Sequence, residues 1–190
     1  MIRGVIFDMD GTITIPYINW QVLREHIGAT PGQTIMEYID SLPEARSKWA
    51  YQELLKAEME AAENAEPNDG INELIQALMA RGVRLAIVTN SHREAMNTVL
   101  KRYGLQIETA LAREDGEIKP SPDLIYMALA CMSLDADEVV TVGDGRYDVE
   151  ACRRAGVNCI YLTHGNPAFE HDPSVTLLSE VLPLIEADLS

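Results

Sequence analysis

One stretch, Ile2-Arg3-Gly4-Val5-Ile6-Phe7-Asp8-Met9-Asp10-Gly11-Thr12, restricts the possible folds more than any other in the chain. Val5, Ile6 and Phe7 form a short apolar run, the pattern of a strand buried on both faces of a parallel sheet. The run stops at two carboxylates and a glycine. Asp8 and Asp10 stand two positions apart, so in extended backbone their side chains point the same way. Two acids at the end of a buried strand repel each other, and without a cation between them one loses its charge. Gly11 permits a tight turn or a close backbone approach to a ligand. An ordinary turn after a strand uses the same residue types. The full string D-x-D-G-T, however, arises by chance only about once per thousand chains of this size, which makes a chemical role the stronger reading.

From residue 16 to 67 strand-like runs give way to helical periodicity. Trp20 to Ile27 reads as a short helix. Thr30-Pro31 reads as the opening of a second, a capping residue followed by Pro at the first helical position. Glu44 to Glu66 reads as a long third, with Tyr51, Leu54, Leu55 and Ala62 at helical spacing, and Pro67-Asn68-Asp69-Gly70 ends it. After Gly70 strands and helices alternate. Helices are expected over Ile71–Arg81, from a Ser91 cap to Tyr103, from a Ser121-Pro122 cap to Met132, and over Val149–Ala155. Strands are expected over Val83–Val88, Ile107–Leu111, Val139–Val142 and Asn158–Leu162, with a last extended piece at Val175–Leu177 and a helix from Ser179.

Five or six strands alternating with helices imply a parallel sheet covered on both faces. The expected fold class is α/β: a Rossmann-like three-layer α/β/α core with a central parallel sheet, plus a small all-helical cap domain. The boundaries place residues 1–15 and 68–190 in the core and 16–67 in the cap.

The net charge of -15 gives no basic stripe for phosphate backbones, so nucleic acid is excluded as a partner. No apolar run reaches the roughly 20 residues a membrane helix needs, and Asp8 and Asp10 interrupt any secretion-signal pattern. Three cysteines without a C-x-x-C pair argue against structural zinc or a disulfide framework. The expectation is a cytoplasmic monomer with buried thiols.

In doubly wound sheets ligands bind outside the carboxyl ends of the strands. Asp8, Asp10, Thr89 and Asp144 all fall there, and Lys119 lies in a loop leading into a helix on the same side. Three carboxylates supply hard oxygen ligands that suit Mg²⁺, and no His or Cys cluster offers zinc a better set. Thr89 and the amides of the turn after it suit phosphate oxygens. Lys119 offers a point charge to phosphate and to a neighbouring carboxylate. Asp148, four residues after Asp144, is placed to orient the metal's water or Lys119.

With these residues assembled, the sequence resembles the haloacid dehalogenase superfamily of aspartate-nucleophile phosphotransferases. The resemblance rests on Asp8 to Thr12, Thr89-Asn90, K-P-S-P-D at Lys119 to Asp123, and G-D-x-x-x-D at Gly143 to Asp148, in family order over nearly the whole chain. It is closest to the phosphatase branch with a helical cap after strand one, similar to phosphoglycolate phosphatase and β-phosphoglucomutase. The resemblance implies Asp8 as nucleophile, forming an aspartyl-phosphate, and Asp10 as acid and then base. It implies Mg²⁺ held by Asp8, the Asp10 carbonyl and Asp144. Gly11, Thr12, Thr89, Asn90 and Lys119 would contact phosphate, with Asp148 in support. The second Asp favours phosphoesters over haloacids. The implied function is a Mg²⁺-dependent phosphohydrolase of small phosphorylated metabolites. A phosphomutase using the same site is the alternative, and a phosphate-binding protein without catalysis a more distant one.

Two departures stand out. Gly145 occupies the position after G-D where the family usually has Ser, and Ile13-Thr14-Ile15-Pro16 replaces the common Asp-Ser after Thr12. Arg24, Arg46 and Lys48 are candidates to read an anionic leaving group, and Tyr17, Trp20 and Tyr38 to pack against it. Solvated charges and core aromatics are the ordinary alternatives. Arg146 reads as a surface residue, and His164 as a candidate for the pocket mouth.

Overall fold

The computed structural model describes residues 1–187 of the chain. Six strands form one parallel sheet: β1 (Gly4–Phe7), β2 (Arg84–Val88), β3 (Thr109–Leu111), β4 (Val139–Gly143), β5 (Asn158–Leu162) and β6 (Ser174–Val175). Their spatial order is β3-β2-β1-β4-β5-β6, so β1 lies at the centre, paired with β2 on one side and β4 on the other. The chain winds outward in one direction after β1 and in the other after β4. The crevice beyond the ends of β1 and β4 is therefore the switch point where such sheets hold ligands.

Helices cover both faces. Val5 and Phe7 point into one apolar layer with Leu74 and Leu78 of α4 (Ile71–Ala80) and Met96 and Val99 of α5 (Arg93–Tyr103). Ile6 points into the other, with Leu124 and Ala128 of α6 (Asp123–Met132) and Ala151 and Cys152 of α7 (Arg146–Ala155). Strand alternation between two covered faces is why the run Val5–Phe7 is apolar throughout. The last helix, α8 (Val181–Ala187), follows a short 3₁₀ turn at Leu178–Glu180.

Between β1 and α4 stand α1 (Trp20–Ile27), α2 (Ile35–Asp40) and α3 (Glu44–Asn64). They share an apolar cluster of their own, in which Leu23, Ile27, Ile39, Ala50 and Leu54 are buried. The chain enters and leaves this unit through two linkers held side by side. The Ile15 amide donates to the Glu66 carbonyl and the Asn68 amide to the Ile13 carbonyl, each at 2.9 Å. The carboxyl end of α3 lies on α5, where Arg102 donates to the Ala62 and Ala65 carbonyls at 2.8 and 3.1 Å. Ala61, Ala62 and Ala65 are buried at this contact, small side chains that let α3 lie close.

Several expected boundaries shift for local reasons. Thr30-Pro31 does not open α2. Gly32 adopts a left-handed φ of 97°, and Thr34 caps the helix instead. Its hydroxyl accepts from the Glu37 amide at 3.1 Å while Glu37 accepts from the Thr34 amide at 2.6 Å, a reciprocal capping pair. Residue His92, not Ser91, precedes α5, because the Ser91 hydroxyl is engaged elsewhere. Helix α7 starts at Arg146 rather than Val149: Asp148 sits in its first turn and accepts from the Gly145 amide at 3.0 Å. The expected piece at Val175–Leu177 is a two-residue strand at Ser174–Val175. The thiols are also not all buried; Cys152 and Cys159 are, and Cys131 is exposed.

Candidate active site

The ends of β1, β2 and β4 surround a cavity of about 550 Å³ whose wall includes Asp8, Asp10, Thr89, Lys119, Asp144 and Asp148. Each element contributes for a local reason. Beta-strand β1 delivers Asp8, whose amide donates to the Val142 carbonyl of β4 at 2.9 Å. The turn after it carries Gly11 at φ 87°, where a Cβ would lie 1.9 Å from Asp144 Oδ2. Glycine is thus required twice over, by conformation and by the carboxylate packed against it. Gly143 plays a similar part for Asp148, whose side chain lies where a Cβ would be.

Lys119 is the electrostatic centre. Its ammonium donates to Asp8 Oδ1 and Asp148 Oδ1, both at 2.6 Å, and to the Val88 carbonyl at 2.9 Å. Three acceptors saturate its three N–H donors. Burial works against its charge, but Asp148 and Asp8 more than offset that and hold its pKa above the ordinary lysine value. Asn90 fixes the loop that carries it. The Asn90 amide group donates to the Lys119 carbonyl at 2.8 Å, and its oxygen accepts from the Lys119 amide at 2.9 Å.

The two aspartates of the first turn have different partners. Burial is the largest influence on Asp8 and raises its pKa well above the usual value; Lys119 opposes the shift, while Asp148 and Asp144 add to it. Asp10 has another partner: its Oδ2 accepts from the Ser91 hydroxyl at 2.6 Å. Burial pushes Asp10 up to about 6, with the Ser91 hydrogen bond opposing. Burial and the Asp148 charge push Asp144 up to about 7. Buried acids crowded in this way lack positive charge.

Asp8, Asp144 and Asp148 can each offer one oxygen, all within 4.8 Å of one another. A largely buried, all-oxygen set in which burial raises the pKa of Asp8 and Asp144 fits a hard divalent cation such as Mg²⁺. The Asp10 carboxylate is outside this set, and Asp148 is inside it.

The remaining candidates divide. Gly11, Thr89 and Asn90 line the cavity. Thr89 Oγ1 accepts from the Ser91 amide at 3.0 Å, which orders the turn after β2. Thr12 does not line it: the residue is fully buried, and its Oγ1 has no hydrogen-bond partner among the described residues. Of the residues proposed to meet a leaving group, Tyr17, Trp20 and Arg24 reach the wall. Arg46 and Tyr38 instead both donate to the Ile27 carbonyl at 3.1 Å, and Lys48 is not part of the lining. Arg146 is exposed as expected, yet it lines the cavity with its guanidinium 5.0 Å over the Phe169 ring. His164 is not in the lining; its Nε2 donates to the Gly11 carbonyl at 2.7 Å.

Sequence reasoning missed a buried ionic cluster beside the acids. Glu58 of α3 is 2% exposed. It accepts from Arg113 at 2.6 and 3.0 Å, from His92 Nδ1 at 2.5 Å and from the His92 amide at 3.2 Å. Glu58 and Arg113 line the cavity. The only sequence signal was an acid on the helix face that also carries Leu54 and Ala61.

The family model described as haloacid dehalogenase-like hydrolase matches residues 14–162. The chain belongs to the haloacid dehalogenase-like hydrolases. The matched span holds Thr89, Lys119, Asp144 and Asp148, with Asp8 and Asp10 just before it. An uncharacterized hydrolase of Saccharomyces cerevisiae is 29% identical over 200 residues, covering 97% of this chain and 91% of the relative. A phosphoglycolate phosphatase of Pectobacterium atrosepticum is 26% identical, covering 97% and 92%. A crystal structure of a hydrolase from Pseudomonas syringae superposes with a TM-score of 0.79 at 20% identity, covering 96% of this chain and 99% of that one. This likeness shows that the two chains share a fold. No helix among the described residues is long and apolar enough to cross a membrane.

Proposed function

We propose that this haloacid dehalogenase-like hydrolase is a Mg²⁺-dependent phosphatase of small phosphomonoesters, working through a phosphorylated aspartate. The observation that carries the reading is the division of labour between Asp8 and Asp10. Asp8 is held by Lys119 inside the oxygen cluster, as a nucleophile must be. Asp10 is kept apart on Ser91 with a pKa of about 6, suited to giving and taking a proton near neutral pH. The bacterial relative named phosphoglycolate phosphatase supports phosphoester chemistry.

Asp8, Asp144 and Asp148 would hold Mg²⁺, which when bound would neutralise charge on the phosphoryl oxygens. An Asp8 oxygen forms a bond to phosphorus as the ester P–O bond breaks, and Asp10 delivers its proton to the departing oxygen. Water then attacks the same phosphorus while Asp10 takes its proton, and the bond to Asp8 breaks to release inorganic phosphate. Lys119 steadies Asp8 and the transferring group throughout. Residues 16–67 act as a cap that walls the leaving-group side and keeps bulk water out.

The test is phosphate release from an aryl phosphate with Mg²⁺, together with acid-quench trapping of labelled protein. Wild-type protein turns over and accumulates acid-stable label on Asp8; Asp8→Asn does neither. Unchanged turnover in Asp8→Asn overturns the proposal.

A further inference from the structure

The part of the cavity wall supplied by the helical insertion is mostly apolar. Tyr17, Ile18, Trp20, Ile35, Met36 and Leu54, all from the helical insertion or its entry, form most of it. Tyr17 and Trp20 are 45% and 42% exposed, large side chains left open at the rim. A leaving group carrying a carboxylate or second phosphate needs a cation on this side, and the cations present are engaged. Arg113 is paired with both oxygens of buried Glu58 and also donates to the Asn90 carbonyl at 3.0 Å. Arg24 donates to the Gln33 carbonyl at 3.0 Å and the Thr30 carbonyl at 3.5 Å. Lys119 is enclosed by Asp8, Asp148 and Val88. Arg146 alone among the lining cations has no carboxylate or carbonyl partner among the described residues. It belongs to α7, beside Asp144, and lies over Phe169 rather than on the cap wall.

From this we infer that the enzyme selects phosphomonoesters whose leaving group is uncharged and carries an aromatic or similarly flat apolar surface, which stacks between Tyr17 and Trp20. The inference rests on the phosphatase reading above. On the insertion side of the cavity Arg113 is neutralised by Glu58 and Arg24 is held by the Gln33 carbonyl, so an anionic side arm meets no unpartnered cation there. An anionic group pressed against the apolar wall would lose its hydration without gaining a partner. An aromatic group covers exposed apolar surface and gains ring contacts.

Binding and turnover together test it. With Mg²⁺ present, calorimetric titration of 2-phenylethylphosphonate and 3-phosphonopropionate compares an aromatic and a carboxylate side arm on non-hydrolysable analogues. The aromatic analogue binds about tenfold tighter or more, and Trp20→Ala and Tyr17→Ala each weaken it about three- to tenfold. In turnover, kcat/KM for benzyl phosphate exceeds that for phosphoglycolate by a similar ratio. Equal or tighter binding of 3-phosphonopropionate overturns the inference, and its loss in Arg146→Ala or Arg24→Ala names the anion-reading arginine. If acetyl phosphate, benzyl phosphate and phosphoglycolate all fail to release phosphate, the phosphatase reading falls. The binding ratio then still decides the character of the wall.

Discussion

Replacing Glu58 with Ala should unfold the protein at a much lower temperature, although Glu58 lies in neither the sheet nor its apolar layers. The carboxylate is the common acceptor for Arg113 and His92 and joins α3 to the core. The Arg113 and Glu58 side chains are 8% and 2% exposed. Removing the acid strands a guanidinium whose Nε already lacks a partner among the described residues. Deleting one member of a buried ion pair costs about 3–5 kcal/mol. At about 2–4 °C per kcal/mol for a chain of this size, the melting temperature falls by roughly 6–20 °C. Calorimetry and urea unfolding at pH 7.5 read the loss. The double variant Glu58→Leu with Arg113→Met removes both charges, keeps similar volume, and should recover most of it. A Glu58→Ala protein within about 0.5 kcal/mol of wild type, the scale of an ordinary surface change, would refute the idea that this cluster fastens the helical insertion.

Acidity provides a second check. Burial raises Asp10 to about 6 and Asp144 to about 7, so between about pH 4 and 7 the folded protein keeps protons that the unfolded chain has released. Metal-free protein therefore loses stability as pH rises through that window. Since Mg²⁺ needs ionised ligands, its melting-temperature gain should be larger at pH 8 than at pH 5; equal gains would contradict the assignment. Gly11→Ala must place a methyl group about where Asp144 Oδ2 lies, at a left-handed φ, and should abolish the Mg²⁺-induced stabilisation along with turnover. Retained Mg²⁺ stabilisation would show that Asp144 does not serve the cation. Lys119→Met leaves Asp8 facing Asp148 without the ammonium between them, and kcat should fall by about 10²–10³. A fall of less than tenfold would remove Lys119 from the chemistry.

Much of the site was legible because its parts are local. A buried apolar run ending in Asp8-Met9-Asp10-Gly11 determines a strand, a turn and two carboxylates within a few residues. The later strand ends bring Thr89, Lys119 and Asp144 to the same rim because parallel winding returns every strand in one direction. Helix starts were less legible where two residues compete to cap. Thr34 displaces Thr30 through its pairing with Glu37, and Ser91 yields its place because its hydroxyl serves Asp10.

What the sequence alone determined was a layered α/β chain carrying an acidic site at its sheet's switch point. Tertiary structure decided how that site is partnered. Glu58 reads as one more charge on an acidic helix until α3 lies on α5, when it meets residues 34 and 55 positions away. Asp148 looks like support for Lys119 until folding sets its oxygen beside those of Asp8 and Asp144. Which cations stay free to greet a substrate depends on which acids and carbonyls reach them first. That is a matter of through-space distance between segments far apart in the chain, and no local pattern records it.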